Sequence, residues 1–368
     1  MLHKKEKDVL KKNKSRLLEI DGVVSVGLCK EKDEPKIKIG VLKDYSKDKL
    51  PKDIQGVPII IEEVEEMDEP LVEADIGTYR EKHRPLRPGL QIGIGISARG
   101  SMGFSIVHNG ELYIITAAHL LRNGWEGRVF HQPNKSYTGE DKEIGEVVKW
   151  VDIYDGTSSS SSAAPGDVMA IKADPEISAT NEPLELPGVI PEKLIEPELD
   201  MEVYHMGRTT GLRKAKITEV DVTSRIRGTG SNPSWYCENL FRTDSESEGG
   251  DSGGCVISVD PPGIVGTHVA SSSRGTLSSS AIEACEVLGF GRSPKLATGK
   301  QEKSGSKYFK DVTEDYDWGG GAVDALDWLY EQGLIAGISE DEFAPDRDIT
   351  RYEKAQLMKR MIDRLGGK

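Results

Sequence analysis

The sequence of 368 residues has little cysteine, no long apolar run and no excess of positive charge. Its first twenty residues are basic and lack the apolar stretch that a secretory signal requires. No later segment is apolar for long enough to span a bilayer. The formal net charge of −14 disfavours a general affinity for nucleic acid or for an anionic membrane surface. The expected partners are therefore proteins or sugars.

The four cysteines are too few and too scattered for a metal site or a disulfide framework. They are Cys29, Cys237, Cys255 and Cys285, and none of them belongs to a C-x-x-C pair. This pattern argues against a zinc site and against a small disulfide-dense scaffold. No other cluster of side chains implies a metal ion or an organic cofactor, so we expect neither. Cys237 and Cys255 could pair in an oxidising compartment, and the alternative is buried free thiols.

Periodicity and composition divide the chain into four segments. Helical spacing over residues 3–19 and three apolar strand-like runs predict a small α+β unit that ends near residue 64 and is followed by an acidic connector. A long run of short strands with frequent Gly and Pro comes next, which is typical of an antiparallel barrel or sandwich. A flexible linker and a small helical module complete the chain. The predicted boundaries are 1–87, 88–292, 293–307 and 308–368.

The stretch EGGDSGGCV, residues 248–256, places a serine among glycines. Turns favour Gly, Asp and Ser for conformational reasons, so this stretch alone does not indicate chemistry. Two side chains elsewhere provide a context for Ser252. His119 follows the apolar run LYIIT, and Asp167 precedes the apolar run VMAIK. Together they give a base, a carboxylate and a hydroxyl in the order His, Asp, Ser across a β-rich region.

The box TAAH at His119, the strand-leading Asp167 and the motif GDSGG at Ser252 resemble those of the chymotrypsin-like serine proteases, of the bacterial type. The resemblance implies a mainly β fold with two six-stranded barrels and the hydrolysis of peptide bonds through an acyl-enzyme. It implies that His119 is the general base, that Asp167 orients it and that Ser252 attacks. The N–H groups of Gly250 and Ser252 would form the oxyanion hole.

The residue before the nucleophile raises a separate question. In the family that the chain resembles, this acid is buried and paired with a positive group, often a freshly cut amino terminus. Asp251 must therefore find an internal cation or await cleavage. One hypothesis that follows is that the N-terminal unit is a regulatory or pro-segment.

Two sets of residues compete for the substrate preference. His268, in the stretch GTHVA, resembles the histidine that contacts Glu or Gln before the scissile bond in glutamyl endopeptidases and viral polyprotein proteases. Glu246 occupies a place where a trypsin-like enzyme has the acid that selects Lys or Arg, and Ser247 lies beside it in the same expected pocket. The sequence favours Glu or Gln.

The tail resembles a single S-layer homology (SLH) motif, with an F-x-D-V opening, a helix leading to G-x-x-x-G, and I-T-R-x-E. The resemblance implies binding to pyruvylated secondary cell-wall polysaccharide, with Arg351 facing the acidic sugar and Trp328 stacking on a ring. The alternative is that Thr350 caps a helix and Arg351 pairs with Glu353. Wall-binding proteins of this type usually have three copies, so one copy suggests a homotrimer or a role in assembly.

Two classes of function are compatible with these features. The first is a serine endopeptidase that the tail positions or oligomerises. The second is a catalytically inactive protease-fold protein that binds cell-wall polysaccharide or serves assembly. The unaltered TAAH and GDSGG motifs favour the first, because scaffolding does not require them. The absent export signal suggests a cytoplasmic or particle-associated protein, whereas the tail suggests the cell envelope.

Overall fold

The structure, a computed structural model, describes residues 4–45, 50–65, 67–68, 78–94, 98–121, 129–133, 143–154, 159–228, 233–299, 308–309, 322–336, 339, 342–344, 354–355 and 358–360. The chain divides into two compact units, Met1–Gly299 and Lys300–Lys368. Among the described residues, no helix is long and apolar enough to cross a membrane.

Strands dominate the first unit. Its helices are α1 (Lys4–Leu18) and α2 (Ala281–Val287). Its strands are β1 (Val23–Glu31), β2 (Glu34–Leu42), β3 (Asp53–Ile54), β4 (Val57–Val64), β5 (Gln91–Ile94), β6 (Ala98–Ser101), β7 (Phe104–His108), β8 (Glu111–Thr116), β9 (Val129–His131), β10 (Glu143–Trp150), β11 (Met169–Ala173), β12 (Glu202–Gly207), β13 (Gly211–Ile226), β14 (Trp235–Thr243), β15 (Cys255–Val259), β16 (Pro262–Ser272), β17 (Gly275–Ser280) and β18 (Lys295–Leu296). The predicted mainly β architecture is therefore present.

The N-terminal segment combines α1 with four strands. Helix α1 forms where Val9, Leu10, Leu17 and Leu18 recur on one face, and that face is buried. Strands β1 and β2 form an antiparallel hairpin, and β4 then pairs with β2 in parallel. The helix and the three main strands lie where the sequence predicted them.

The first of the two large sheets has eight strands in the order β18-β7-β8-β11-β10-β9-β5-β6. Its interior is filled by apolar side chains that are fully buried, among them Phe104, Ile114 and Ile171. Strand β8 lies between β7 and β11. The chain segments at His119 and Asp167, which adjoin β8 and β11, therefore emerge side by side.

The second sheet contains a closed ring of six strands, β12-β15-β16-β17-β14-β13, because β12 also pairs with β13. This ring corresponds to one of the six-stranded barrels that the sequence predicted. The loop that contains Ser252 leads directly into β15, so it lies at the end of this barrel.

Strand β13 joins the N-terminal segment to this barrel. It has 16 residues, and β12 pairs only with its first part, from Gly211 to Lys216. Strand β1 pairs with the next part, from Glu219 to Ser224, while β14 occupies the opposite edge. The sheet thus continues through β1, β2 and β4 to β3. The predicted boundary at residue 87 concerns whether the N-terminal segment folds independently, and it stays a prediction.

Residues 295–299, within the predicted linker, take part in the first unit. Strand β18 pairs with β7, and Gly299 N–H donates to Ala179 O at 3.1 Å. The tail has its own small core around helix α3 (Ala322–Glu331), in which Phe309 and Leu326 are buried.

Candidate active site

His119 and Asp167 form a closely bonded pair. A 3₁₀ turn, Ala118–Leu120, follows β8 and presents the imidazole to the segment before β11. Asp167 Oδ2 lies 2.5 Å from His119 Nδ1, and Asp167 Oδ1 accepts the backbone N–H of His119 at 2.9 Å. Asp167 is completely buried. Because both carboxylate oxygens bind the same residue, the orientation of the ring is fixed.

The other ring nitrogen of His119 is the one a general base would use. His119 Nε2 is buried and makes no hydrogen bond with the described residues. The indole of Trp235 lies near the ring, with centroids 6.3 Å apart. The arrangement leaves Nε2 available to a hydroxyl, while Nδ1 is engaged with Asp167.

The loop of Ser252 packs directly on the end of β8. A Cβ placed on Gly253 would lie 2.0 Å from Thr116 Oγ1 and 2.9 Å from Ala117 N, and Gly253 has a φ of +81°. Only glycine satisfies both the close approach and this backbone conformation. Ser252 itself is half-buried, and its carbonyl accepts the N–H of Ser101 at 2.8 Å. The TAAH and GDSGG motifs are therefore in contact.

Gly250, one of the two residues predicted to form the oxyanion hole, adopts a backbone conformation that favours glycine. Its φ is +99°, and a Cβ there would lie 2.4 Å from Arg208 Nε. Its carbonyl accepts the Ser101 hydroxyl at 2.8 Å. Within the described part of the chain, the N–H groups of Gly250 and Ser252 have no acceptor.

Asp251 is buried and satisfied by main-chain donors. Its Oδ1 accepts the N–H groups of Thr209 at 2.9 Å and Thr210 at 3.2 Å, and its Oδ2 accepts that of Glu248 at 2.9 Å. Main-chain N–H groups of the described residues therefore take the place of the internal cation that the sequence suggested for this acid.

Arg208 is a site residue that the sequence did not single out. Its side chain is fully buried, and its Nη1 donates to Gln91 Oε1 at 2.9 Å. Its backbone N–H donates to Ser101 Oγ at 2.8 Å, the same hydroxyl that binds Gly250. The glycine-flanked stretch GRTTG was the available signal, since it marks the tight β12–β13 turn, whose Thr209 and Thr210 contact the loop before Ser252.

His268 lies beside the Ser252 loop. Its carbonyl accepts the N–H of Gly253 at 2.9 Å, and its own N–H donates to Gly254 O at 2.8 Å. The imidazole is 2% exposed, and neither ring nitrogen has a hydrogen-bond partner among the described residues. Burial lowers the pKa of His268 to about 3, so the ring is neutral near pH 7.

A second histidine, His205, packs against His268. The two ring centroids are 4.7 Å apart in an edge-to-face arrangement, and His205 Nε2 is hydrogen-bonded to Ser245 Oγ. Burial and then the neighbouring His268 lower the pKa of His205 to about 3. No local sequence pattern marks His205, because β12 and β16 come together only through β15.

The two other predicted specificity residues differ in exposure. Glu246 is exposed, whereas Ser247 is 7% exposed and donates its N–H to Ser271 Oγ at 3.5 Å. We use the term specificity wall for β16 residues 268–272 together with residues 246–247. An exposed carboxylate is solvated, so Glu246 lacks the desolvation that would make it a strong selector of Lys or Arg.

The predicted ligand residues of the tail fall outside what the structure describes. Arg351 lies among residues that are not described, and for Trp328 only the backbone, in α3, is described. The described aromatic residues of the tail pack together: the Phe309 ring lies 5.0 Å from that of Tyr330 and 5.3 Å from that of Phe343.

All four cysteines are buried and free. Across the ranges that the structure describes, no group of three or more His, Cys, Asp or Glu side chains could hold a metal ion.

Comparison with known proteins identifies both parts of the chain. Residues 78–287, more than half of the chain, match the profile of the trypsin family, and residues 308–353 match that of the S-layer homology domain. No curated protein matches the sequence.

Solved structures of bacterial serine proteases resemble the first unit. A glutamic-acid-specific serine protease, described as using a histidine triad in substrate binding, is 20% identical, with 57% of this chain and 100% of that chain covered and a TM-score of 0.41. Protease A of Thermobifida fusca is 17% identical, with 58% of this chain and 98% of that chain covered and a TM-score of 0.40. Cellulomonas bogoriensis chymotrypsin is 19% identical, with 58% of this chain and 99% of that chain covered, and its TM-score is also 0.40.

Proposed function

Because this chain belongs to the trypsin family, we propose that it is a serine endopeptidase that hydrolyses peptide bonds through an acyl-enzyme at Ser252. The observation that carries the proposal is the double hydrogen bond between Asp167 and His119, at 2.5 Å and 2.9 Å, beside a Ser252 loop that rests on the same strand end. A protein that serves only as a scaffold does not need a buried carboxylate that orients a single imidazole.

The proposed mechanism follows from these contacts. His119 Nε2 takes the proton of the Ser252 hydroxyl as the oxygen attacks the substrate carbonyl, and Asp167 stabilises the imidazolium that forms. The N–H groups of Gly250 and Ser252 bind the developing oxyanion, and each such donor contributes about 3 kcal/mol to lowering the barrier. His119 then gives its proton to the leaving amine. A water molecule then attacks the ester carbonyl while His119 takes its proton. His119 returns that proton to the oxygen of Ser252 as the ester breaks and the acid product leaves.

The test is labelling of the full-length protein with a fluorophosphonate probe. We expect labelling in the wild type and none in Ser252→Ala or His119→Ala. Ser161→Ala, which changes an exposed serine in a Ser-rich segment, is the matched control and should label like the wild type. Absence of labelling in the folded wild-type protein would favour an inactive protease fold with a binding or assembly role.

For the substrate we propose an acidic or amide side chain, Glu or Gln, before the scissile bond. The support is chemical: His268 is buried beside Ser252 with two ring nitrogens that lack partners in the described residues, and Glu246 is exposed. A buried imidazole N–H that finds a carboxylate or amide oxygen gains a hydrogen bond it otherwise lacks. His205, which packs on His268, would hold that ring in place.

Peptides that differ only at this position test the preference. We expect wild-type kcat/KM to be higher for Glu and Gln than for Ala, Lys or Arg, and His268→Ala to lose most of that difference. Glu246→Gln is the control and should retain it. A wild-type preference for Lys or Arg that Glu246→Gln abolishes would instead support the trypsin-like pocket.

Residues 308–353 form an S-layer homology domain, and we propose that this tail binds secondary cell-wall polysaccharide. Arg351 would recognise the carboxylate of a pyruvylated sugar, and Trp328 would stack on a ring. Assembly of three chains would supply three copies of the domain, and sedimentation of the purified protein tests this trimer.

Binding to purified Gram-positive-type cell walls tests the role of the tail. Ser252→Ala should bind as the wild type does, Arg351→Ala should bind less, and Lys354→Ala, which changes an exposed tail residue, is the control. Walls from which pyruvate has been removed with mild acid should retain little protein. Equal binding to both wall preparations would overturn recognition of the pyruvyl group, and failure to bind either would argue for a role in assembly alone.

A further inference from the structure

An ion cluster lies where the N-terminal segment meets the six-stranded ring of the second sheet. It contains three acidic and three basic side chains: Glu62, Asp68, Glu219, Lys38, Arg242 and Arg274. Asp68 and Arg242 are each 1% exposed, and Glu219 is 2% exposed. Because its charges balance and are closely paired, the cluster tolerates burial.

Asp68 is the hub of this ion cluster. Its carboxylate accepts hydrogen bonds from both terminal nitrogens of Arg242, at 2.7 Å and 2.9 Å, and from Nη2 of Arg274 at 2.7 Å. It also accepts the hydroxyls of Ser272 at 2.8 Å and Ser224 at 3.0 Å. Burial alone would raise the pKa of Asp68, but Arg242 and Arg274 outweigh it and hold the pKa well below its usual range. The carboxylate is therefore charged at any pH near neutrality.

Two of these partners belong to the turn that ends the specificity wall. Ser272 is the last residue of β16, and Arg274 stands just before β17. The turn has little freedom of its own, because Gly275 has a φ of +103° and a Cβ there would lie 1.9 Å from Thr243 O. Asp68 thus fixes the side of this turn that faces the N-terminal segment.

The turn is connected to the residues that face the substrate in the proposed site. Ser271, which precedes Ser272, accepts the N–H of Ser247 at 3.5 Å and donates its hydroxyl to Gly275 O at 3.5 Å. A movement of the turn would therefore shift Ser271 and the loop of Ser247, while Asp167 and His119, which adjoin the eight-stranded sheet, keep their own contacts.

From these contacts we propose that Asp68 is a positioning residue for the specificity wall, so that the N-terminal segment is a permanent part of substrate recognition. This inference rests on the proposed peptidase function. Asp68 lies outside residues 78–287, the part that matches the trypsin family. A segment that supplies the hub of a buried ion cluster is poorly suited to be removed on activation, as the pro-segment hypothesis requires.

The test compares Asp68→Asn and Ser272→Ala in the full-length protein. The fluorophosphonate reacts at Ser252 without filling the pocket, so both variants should label at close to the wild-type rate. Their KM for the preferred peptide should rise about tenfold with a smaller change in kcat, and their discrimination among peptides should fall. Ser272→Thr keeps the hydroxyl and should restore the wild-type KM.

A matched control is Glu182→Gln, which breaks a half-buried pair with Arg87 at 2.8 Å elsewhere in the first unit and should change neither KM nor preference. If Asp68→Asn does not fold, Ser272→Ala still tests whether Asp68 positions the specificity wall. This variant loses one hydroxyl and keeps both arginine pairs. Normal labelling with wild-type KM and preference would overturn the role of Asp68 and leave the peptidase proposal intact. Absence of labelling in the wild type would instead overturn the peptidase proposal.

Discussion

Gly253 lies against Thr116 so closely that a methyl group on its Cα would fall 2.0 Å from the threonine hydroxyl oxygen. The first residue belongs to the GDSGG motif and the second to TAAH. The two motifs thus fit each other physically, since the shape of one determines which residue the other can contain.

This fit predicts that Gly253→Ala abolishes fluorophosphonate labelling and destabilises the protein by about 3 kcal/mol, because the methyl group must displace main chain as well as adopt a positive φ. Gly188→Ala is the matched control. Gly188 has a φ of +85°, but a Cβ there would meet nothing within 4 Å. It should cost about 1 kcal/mol, from backbone strain alone, and leave labelling intact. Equal effects of the two changes in urea unfolding would show that the contact with Thr116 is unimportant.

The pair of Asp167 and His119 gives a kinetic prediction. Asp167→Asn should lower kcat by about 10⁴ with little change in KM, because an amide favours the wrong tautomer of the imidazole. Steady-state kinetics on a peptide substrate provide the measurement. The exposed Asp53→Asn is the control. A drop of less than tenfold would mean that Asp167 does not set the tautomer of His119.

The neutral histidine pair predicts sensitivity to acid. The pKa of both His268 and His205 is lowered to about 3 in the folded protein. In the unfolded chain a histidine has a pKa of about 6.5, so each one favours the native state fully above that pH. This stability is lost as the pH falls from about 6.5 towards 3, because the unfolded chain then binds protons that the native state does not bind.

Replacing His268 by Gln should therefore reduce the slope of unfolding free energy against pH by about 1 kcal/mol per pH unit between about pH 6 and 4. Urea unfolding at a series of pH values gives the slope. His108→Gln, a change at a half-buried histidine outside the pair, is the control. An unchanged slope in His268→Gln would contradict the burial of a neutral ring.

The cysteines should be inert in the native protein. Burial, and then the nearby Glu219, raises the pKa of Cys29 to about 11, and burial raises that of Cys285 to about 12. The pKa values of Cys237 and Cys255 are raised as well, chiefly by burial. We expect iodoacetamide at about pH 8 to modify almost no thiol in the native state and all four after unfolding without reductant. Two unmodified thiols after unfolding would reveal a disulfide between Cys237 and Cys255.

The sequence predicted the parts of the site that depend on local patterns. His119 and Asp167 stand beside apolar strands, and Ser252 lies in a glycine-rich turn, so each has a signal in its immediate neighbours. His205 has no such signal, because it meets His268 only when β12 and β16 both flank β15. The mainly β class followed from the strand pattern, and the six-stranded ring followed from the family resemblance.

Asp68 shows a different limit of sequence reasoning. In the sequence it is one of several acids in a proline-bearing connector, and such a segment suggests a solvated link. It is buried because two arginines from distant strands converge on it. No local pattern contains that information, since Arg242 and Arg274 also look like ordinary surface charges until the barrel closes.

The length of β13 has a consequence for solubility. The part from Glu219 to Ser224 would be an open strand edge if β1 did not pair with it. Open edges with apolar side chains join to the edges of other molecules. With β1 in place, this part of β13 is paired along both edges, with β1 on one side and β14 on the other. The N-terminal segment therefore covers a strand edge that could otherwise pair with other molecules, and we expect its removal to favour aggregation.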